Sequence, residues 1–501
     1  MPLPEITNLA QRRGLFTPSA EIYANAPAGF WDYGNEGTRI KRRLVEHWRK
    51  TLIHKEGNIE IEGSTLLPEI VFKASGHLEN FNDPLVICET CKTPYRADKL
   101  IEEKLEHEIP EGASLDFFDQ KIAELKLVCP KDKKPFGRTT KFNLMMQVNI
   151  GATHGNVSYL RPEACQSIFL AFPRIWKSGR IKLPIGIGQA GKAYRNEIAP
   201  RQGLLRTREF EQMDMEIFFN PRKINEIEKW EEVKEYALNL YLLSDKQTHA
   251  ITCEEAVEQK IVSGKIIAYY LARTQQFFAS LHIPLEKIRF RELEKEARAF
   301  YARETWDLEV QMDNAWIELA ACNYRGEHDL KTHGEESKQD ITIKEDGENE
   351  KYVPHIFEIS IGVDRTFLVM LDANLRKEIR GTEERTYLDL PKEIAPYDVS
   401  VFPLMKKDGL AEHAEELAHH LRGQNIAVIY DETGSIGKRY ARTDEIGIPY
   451  AITVDYQSLQ DRSITLRERS SMKQKRVQVD DLDEIFWKFS TNQKKFEDLA
   501  D

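Results

Sequence analysis

The stretch that most limits what this chain can fold into is residues 186–219, GIGQAGKAYRNEIAPRQGLLRTREFEQMDMEIFF. Its alternation predicts an antiparallel hairpin. A strand-like run over 193–199 meets Pro200, Gln202 and Gly203, and a longer alternating run follows from Leu204 to Phe219. A period of two sorts the side chains by face. Arg195 and Glu197 share one side of the first strand. Arg206, Arg208, Phe210, Gln212, Asp214 and Glu216 share one side of the second, which leaves Met213, Met215 and Ile217 for the other. A face of arginines, carboxylates and one aromatic ring is no hydrophobic core. It suits a floor for a ligand with phosphates and a flat base. The alternative is a solvated edge hairpin laced with ion pairs. Against it, apolar residues dominate the chain on both sides, which argues for a central place in the sheet.

The order of these residues is more specific than their alternation. Arg195-Asn196-Glu197, then Pro200-Arg201-Gln202-Gly203-Leu204, then Arg208-Glu209-Phe210, resembles motif 2 of the class II aminoacyl-tRNA synthetases, in its glycyl-tRNA synthetase version. That resemblance implies an α/β (α+β) fold. A class II antiparallel sheet flanked by helices would occupy residues 1–390, and a C-terminal α/β anticodon-binding domain 391–501.

Length and composition agree. The 501 residues suffice for two to four domains, with 41% hydrophobic and 31% charged residues. No window approaches ~18 consecutive apolar residues and no signal-peptide pattern opens the chain, so a cytoplasmic protein with no membrane partner is expected. Six cysteines are too few and too scattered for a disulfide framework. The net charge of -11 gives no global attraction to nucleic acid, so a tRNA partner requires local basic surface. One candidate is 462–476, with Arg462, Arg467, Arg469, Lys473, Lys475 and Arg476. The alternative is an ordinary exposed face.

Taken in order, residues 29–37 (GFWDYGNEG) form a turn before a helical pattern over 38–52, and 64–77 (STLLPEIVFKASGH) reads as a strand-like run containing Pro68. Both resemble the family's N-terminal region. By that resemblance Pro68 lies in motif 1, a dimer element, which implies a homodimer. Residues 88–140 form a cysteine-containing insertion: Cys88-x2-Cys91, a charged helical stretch, then Cys129-Pro-Lys-Asp132. Two paired ligand turns about 40 residues apart suit zinc. Asp132 is a less usual ligand in structural zinc sites, so three separate thiols is the preferred reading, with zinc the alternative and no metal ligand assigned. Residues 222–288 are rich in helix formers and read as a helical insertion. Residues 335–351 read as an exposed loop. Residues 353–361 alternate as a strand, and Gly362-Val363-Asp364-Arg365 opens an apolar helix resembling motif 3. Beyond 395, strands at 399–404, 426–430 and 451–454 alternate with helices at 410–421 and 436–442. Lys438, Arg439 and Arg442 there suit a phosphate backbone.

The family resemblance implies a two-step ligase: glycine attacks the α-phosphate of ATP, with magnesium, and the glycyl group passes to tRNA. Both reactants are anionic, so the demand is charge neutralisation and in-line placement, a task for arginine forks. By resemblance, ATP would meet Arg195, Asn196, Glu197, Leu205, Arg206, Thr207, Arg208, Glu209, Phe210, Glu318, Leu319, Gly362, Val363, Asp364 and Arg365. Arg195 would hold the α-phosphate, Arg365 the distal phosphates, and Phe210 would stack on adenine. Glu197 and Glu318 would sit at adenine or magnesium. Glycine would meet Arg96, Glu163, Phe210, Glu211, Gln212, Met213, Asp214, Arg325, Glu358, Ile359, Ser360, Ile361 and Gly362. Glu163 lies in an LRPEACQ segment (160–166) and Arg325 in a segment where 320–324 (AACNY) replaces a small-residue stretch. The alternative is a synthetase-like nucleic-acid-binding protein without aminoacylation. Such a protein would be expected to lose Arg195, Arg365 or the glutamates, all present here.

Overall fold

A computed structural model describes residues 5–500, apart from 106–108, 110–112, 153–154, 201–202, 296–297, 300 and 381–382. Its centre is a nine-stranded sheet. Counting along the chain, the strands are β1 (Ile59–Glu60), β2 (Ile185–Tyr194), β3 (Glu209–Phe219), β4 (Ala237–Leu242), β5 (Gln247–Thr252), β6 (Ile288–Glu292), β7 (Glu304–Met312), β8 (Ala315–Gly326) and β9 (His355–Gly362). They lie side by side as β5-β4-β6-β7-β8-β9-β3-β2-β1. All pairings are antiparallel except β1 with β2 and β4 with β6.

The hairpin is central, as the flanking apolar residues imply, but its ends differ from the expected ones. Pairing stops at Tyr194 opposite Glu209. Of the chain between, the described residues 195–200 and 203–208 are irregular apart from a short 3-10 turn at Gly203–Leu205, not two strand ends. Arg195, Glu197, Arg206 and Arg208 therefore leave the pleat. The predicted turn residue Gln202 lies outside the described residues.

The pleat of β3 splits the sheet as predicted. Met213, Met215, Ile217 and Phe219 are fully buried with Ile359 and Ile361 of β9. They pack into the main core with α1 (Asn35–Trp48), α3 (Lys265–Ser280) and α4 (Val363–Asn374). The opposite face is covered at its lower end by α2 (Gln166–Gly179), where Phe172 stacks on Phe218 with centroids 4.2 Å apart. The upper end of that face is left for polar groups.

Two further expectations change. Residues 64–77 hold only the short strand Leu66–Pro68; from Glu69 the backbone turns helical, because Pro68 fits just before a helix start. The stretch 222–288 is not a helical insertion. Leu238 and Leu240 alternate into the core, so Ala237–Leu242 and Gln247–Thr252 extend the sheet as its edge hairpin, with α3 behind them. Burial of alternate leucines outweighs helix propensity here. Residues 335–337 complete the helix His328–Ser337, ahead of an otherwise largely exposed connection.

Past residue 398 a second sheet forms from β10 (Val399–Pro403), β11 (Val428–Tyr430), β12 (Tyr450–Val454), β13 (Ser463–Glu468) and β14 (Gln474–Gln478). Its order is β11-β10-β12-β13-β14, parallel through its first three strands. Helices α5 (Leu410–Gly423), α6 (Ile436–Glu445) and α7 (Leu482–Ser490) accompany it.

Candidate active site

Register across the sheet brings the polar face together. Gln212 of β3 lies opposite Gly362 of β9, Asp214 opposite Ser360, and Glu216 opposite Glu358. On the other side of β9, Ser360 faces Ala321 and Glu358 faces Asn323 of β8. Because each strand alternates, Phe210, Gln212, Asp214, Glu358, Ser360 and Asn323 all project to one side. Most of them are buried. Over this floor come Glu163 from the segment before α2 and Arg195 from the loop after β2.

The floor is held by directed hydrogen bonds. Gln212 Nε2 donates to Ser360 Oγ at 3.1 Å, and Ser360 Oγ donates to Asp214 Oδ1 at 2.7 Å. Asn323 Nδ2 and Arg325 Nη1 both donate to Glu358 Oε2, at 2.7 and 3.0 Å. Thr305 Oγ1 donates to Asn323 Oδ1 at 2.8 Å. Arg325 is wholly buried, forked onto Asp329 at 2.6 and 2.7 Å, with the Tyr301 ring 3.6 Å from its guanidinium carbon. It supports Glu358 from below and is not part of the cleft lining, which corrects its assignment to direct glycine contact.

Glu163 closes the site from above. His77 Nε2 lies 3.2 Å from Glu163 Oε2, and Ser75 Oγ lies 2.8 Å from His77 Nδ1. Arg195 reaches Glu163 at 3.6 Å and donates to the Pro162 carbonyl at 3.2 Å. Ligand atoms of Glu163, Cys165 and Glu358 lie within 4.8 Å of one another. Burial pushes the Glu163 carboxyl up, but the hydrogen bond and charge of His77, then Arg195 and Arg325, bring it well below the usual carboxylate range. Glu358 is raised, by burial first, against the opposing Arg325 charge and with Glu163 adding to the rise. Burial lifts Asp214 to about 7. Two carboxylates crowded in a dry pocket favour a cation between them.

Next to this acidic spot lies a cationic one. Arg206, Arg195 and Arg365 line the same cleft with Glu197, Thr207, Leu205, Phe210, Glu318, Leu319 and Gly362. Arg365 is fixed by Nε to the Leu205 carbonyl (3.0 Å) and by Nη1 to the Glu318 carbonyl (3.1 Å), with the Glu318 carboxylate 3.3 Å away. A Cβ at Gly362 would touch nothing in the protein closer than 3.9 Å. Glycine there leaves room on the cleft side and is not demanded by φ. Arg195 lies 5.3 Å from the Phe210 ring centre, so a flat ligand on Phe210 would have a cation at its edge.

Several expected contacts are not brought to the cleft. Met213, Ile359 and Ile361 are core residues, and so is Val363. Glu209 falls on the reverse of β3, paired with Lys192 at 3.0 Å; Glu211 alternates the same way and pairs with Lys41 at 2.6 Å, yet it still lines the cleft. Asp364 does line the cleft, where its side chain accepts from Tyr33 Oη at 2.5 Å and from the Glu211 amide at 2.7 Å and so anchors β3. Arg208 is used up on the Glu197 and Ala28 carbonyls. Asn196 fixes the loop through its amide to the Leu144 carbonyl. Arg96 pairs with Asp83 (3.0 Å) and Asp98 (2.5 Å) in an adjoining cleft that Glu163 and Arg195 also line.

His77, Tyr301 and Asn323 belong to the site and were not assigned a role from sequence. Only His77 carried a signal, in the Ser75-Gly76-His77 segment. The basic stretch 462–476 is largely consumed. Arg467 is buried on Asp444, Arg469 on Asp389, and Arg476 pairs with Asp455. Arg439 is likewise buried on the Pro403 and Gly434 carbonyls and Arg442 sits on Asp431. Lys438 alone of that trio is exposed.

Residues 152–374 match the tRNA synthetase class II core domain (G, H, P, S and T), and 398–488 match the anticodon binding domain. A solved Giardia lamblia prolyl-tRNA synthetase in complex with prolyl-adenylate superposes with a TM-score of 0.58 at 15% identity, covering 95% of this chain and 74% of that one, a likeness of fold. Fold and site together define a class II aminoacyl-tRNA synthetase. Glycine–tRNA ligases of Methanothrix thermoacetophila and Pyrococcus furiosus are 35% and 37% identical, each over 95% of this chain and over 95% and 97% of their own. The chain belongs to the glycine–tRNA ligase family.

Proposed function

We propose that this protein activates glycine with ATP, releasing pyrophosphate, and transfers the glycyl group to the 3′ end of tRNA. The observation that carries this reading is the meeting of a buried two-carboxylate spot, Glu163 with Glu358, and an arginine-lined cleft floored by Phe210. An ammonium fits the first and a nucleotide the second. The glycine carboxylate then points from one toward the other, where Arg195 neutralises the α-phosphate and the reacting atoms are held in line. Arg206 and Arg365 take the remaining phosphates, and Phe210 stacks on adenine. Glu197 has a buried carboxylate oxygen that makes no hydrogen bond among the described residues and faces Arg206 at 3.6 Å, and Glu318 is half exposed at the cleft. Hard oxygen donors of this kind suit magnesium, which would screen the ATP phosphates.

Selection of glycine follows from exclusion. Glu163, Glu358 and Ser360 would surround the ammonium, with Asn323 and Ala321 lining the cleft beside them, and this crowding would exclude a methyl on the α-carbon. Residues 1–390 form the catalytic part of this reading and 391–501 the part that binds the anticodon, in the cytoplasm. We also propose a homodimer. Ile70, just past Pro68, and Leu170 on the neighbouring α2 are 48% and 42% exposed along one apolar groove, suited to a second copy.

Amino-acid-dependent ATP–pyrophosphate exchange tests the reaction, with glycine compared against alanine, serine, threonine and proline. Exchange with glycine alone is expected. Arg195→Ala should abolish it in a folded protein, and retained exchange would refute the role given to Arg195. Absence of exchange with every amino acid, in a protein that still binds tRNA, would favour the nucleic-acid-binding reading.

A further inference from the structure

The unit around Asn82–Ile87 contains two turns of the same design. Cys88 to Cys91 is followed by Lys92 at φ 56°; the Lys92 amide donates to the Cys88 carbonyl at 3.1 Å, and the Cys88 amide to the Thr93 carbonyl at 3.1 Å. Cys129 to Asp132 is followed by Lys133 at φ 62°; the Lys133 amide donates to the Cys129 carbonyl at 2.9 Å, and the Cys129 amide to the Lys134 carbonyl at 2.9 Å. Each turn aims its first and fourth side chains at one point, and the two turns face each other. The left-handed lysine in each turn matches the two turns to one another in backbone as well as in hydrogen bonding.

The four side chains converge. Cys88 Sγ lies 3.4 and 3.5 Å from the Asp132 oxygens, Cys91 Sγ lies 3.6 Å from Cys129 Sγ, and all four ligand atoms fall within 4.8 Å of one another. Zinc bonds of ~2.3 Å to sulfur and ~2.0 Å to oxygen, at tetrahedral angles, place sulfur about 3.8 Å from sulfur and about 3.5 Å from oxygen. The spacings match. Thr93 Oγ1, 3.1 Å from Cys91 Sγ, and Tyr95 Oη, 3.5 Å from Cys129 Sγ, are placed to donate to thiolates. The local core is small, with Val86, Ala97, Ile101 and Phe118 its buried residues, and units of that size need a staple.

We propose that Cys88, Cys91, Cys129 and Asp132 hold one structural zinc ion as three thiolates and one carboxylate. Four protein ligands close the coordination sphere, so the ion is structural and takes no part in glycine activation. It fixes the unit that carries Asp83 and Arg96 at the edge of the cleft. The reading of three separate thiols is thereby replaced. This inference stands whether or not the reaction proposed above is correct.

The test is metal analysis of the full chain purified without chelator, followed by exchange for cobalt(II). One zinc per chain is expected, with intense tetrahedral cobalt bands and sulfur-to-cobalt charge transfer in the near ultraviolet. Asp132→Cys should keep the metal and shift the cobalt bands to those of a four-thiolate site, while Cys322→Ser should leave them unchanged. Cys91→Ser should lose the metal. A folded wild-type chain without zinc that gives no cobalt bands overturns the proposal, whether its thiols are free or Cys91 and Cys129 are found as a disulfide. So does a cobalt spectrum that Asp132→Cys leaves unmoved.

Discussion

Asp214 shows how the site couples charge to pH. It is fully buried, accepts from Ser360, and has its carboxyl raised to about 7 by burial, against the Ser360 hydrogen bond and reinforced by Glu358 and Glu163. A carboxyl raised from 3.8 binds more protons folded than unfolded between pH 4 and 7, so its contribution to stability falls as pH rises through that window. A bound ammonium reverses the local balance by favouring the carboxylates. Glycine binding should therefore release protons near pH 7, and the KM for glycine should fall as pH rises from 6 to 8. Asp214→Asn is expected to flatten that profile, and an unchanged slope would show that the proton resides elsewhere. Asn323 belongs to the same scale. By donating to Glu358 Oε2 it leaves Oε1 for the ligand, so Asn323→Ala should raise the glycine KM about tenfold, as one hydrogen bond to a charged group implies, with ATP KM unmoved. Individual residues were legible where the pleat decides. Alternation alone put Met213 on the face opposite Phe210, whereas matching a contiguous family segment carried Met213, Glu209 and Glu211 to the ligand together. The strand geometry overrules that contiguity for Met213 and Glu209, while Glu211 still lines the cleft.

At the scale of elements, the segments 195–200 and 203–208 are the parts that sequence resolved least well. Alternating residues in 204–208 look like strand, yet the Arg208 guanidinium folds back onto the Glu197 and Ala28 carbonyls, and its amide donates to the Gly29 carbonyl at 2.7 Å. These bonds spread the chain into a loop that holds Arg195 and Arg206 over the sheet. Arg208→Ala removes two partly buried charge-assisted bonds to the Glu197 carbonyl, each worth about 1.5–3 kcal/mol, and an exposed one to the Ala28 carbonyl that adds less. It should raise the KM for ATP and lower exchange at least tenfold without removing a group that touches ATP. A mutant with wild-type ATP KM would show that the loop stays ordered without it. The helix-former-rich stretch 222–288 misled for another physical reason. Its local propensity favours helix, but the free edge of β6 offers backbone partners that only the assembled sheet reveals. The motif 3 junction was legible because strand, glycine and apolar helix are all local signals, and the structure begins α4 at Val363.

Across the whole molecule, most arginines expected to meet tRNA are instead used inside the C-terminal unit, and Arg469 together with the acceptors Asp444 and Glu445 ties that unit to the rest of the chain. Asp444 on α6 accepts both nitrogens of Arg467 at 2.9 Å and the Arg385 guanidinium at 2.9 Å, from the hairpin that follows α4. Arg469 spans to Asp389 and the Leu390 carbonyl, and Glu445 takes Arg12 and Arg13 from the N-terminal helix Glu5–Arg12 and its end. None of these partners lies near its arginine in sequence, so composition could register only a run of positive charge. Asp444 and Arg467 are almost fully buried, and removing one member of such a pair strands a charge at a cost of about 3–5 kcal/mol. Asp444→Ala should therefore loosen the joint between the sheets and leave the catalytic cleft alone. Calorimetry should resolve two unfolding transitions where the wild type shows one. On the proposed division of work, in which exchange uses the nine-stranded sheet and transfer also uses the C-terminal sheet, glycine-dependent exchange should persist near its normal rate while transfer to tRNA drops at least tenfold. If exchange and transfer fell in parallel, the ion pairs at Asp444 would be supporting the cleft itself, and the C-terminal sheet would be part of the catalytic fold.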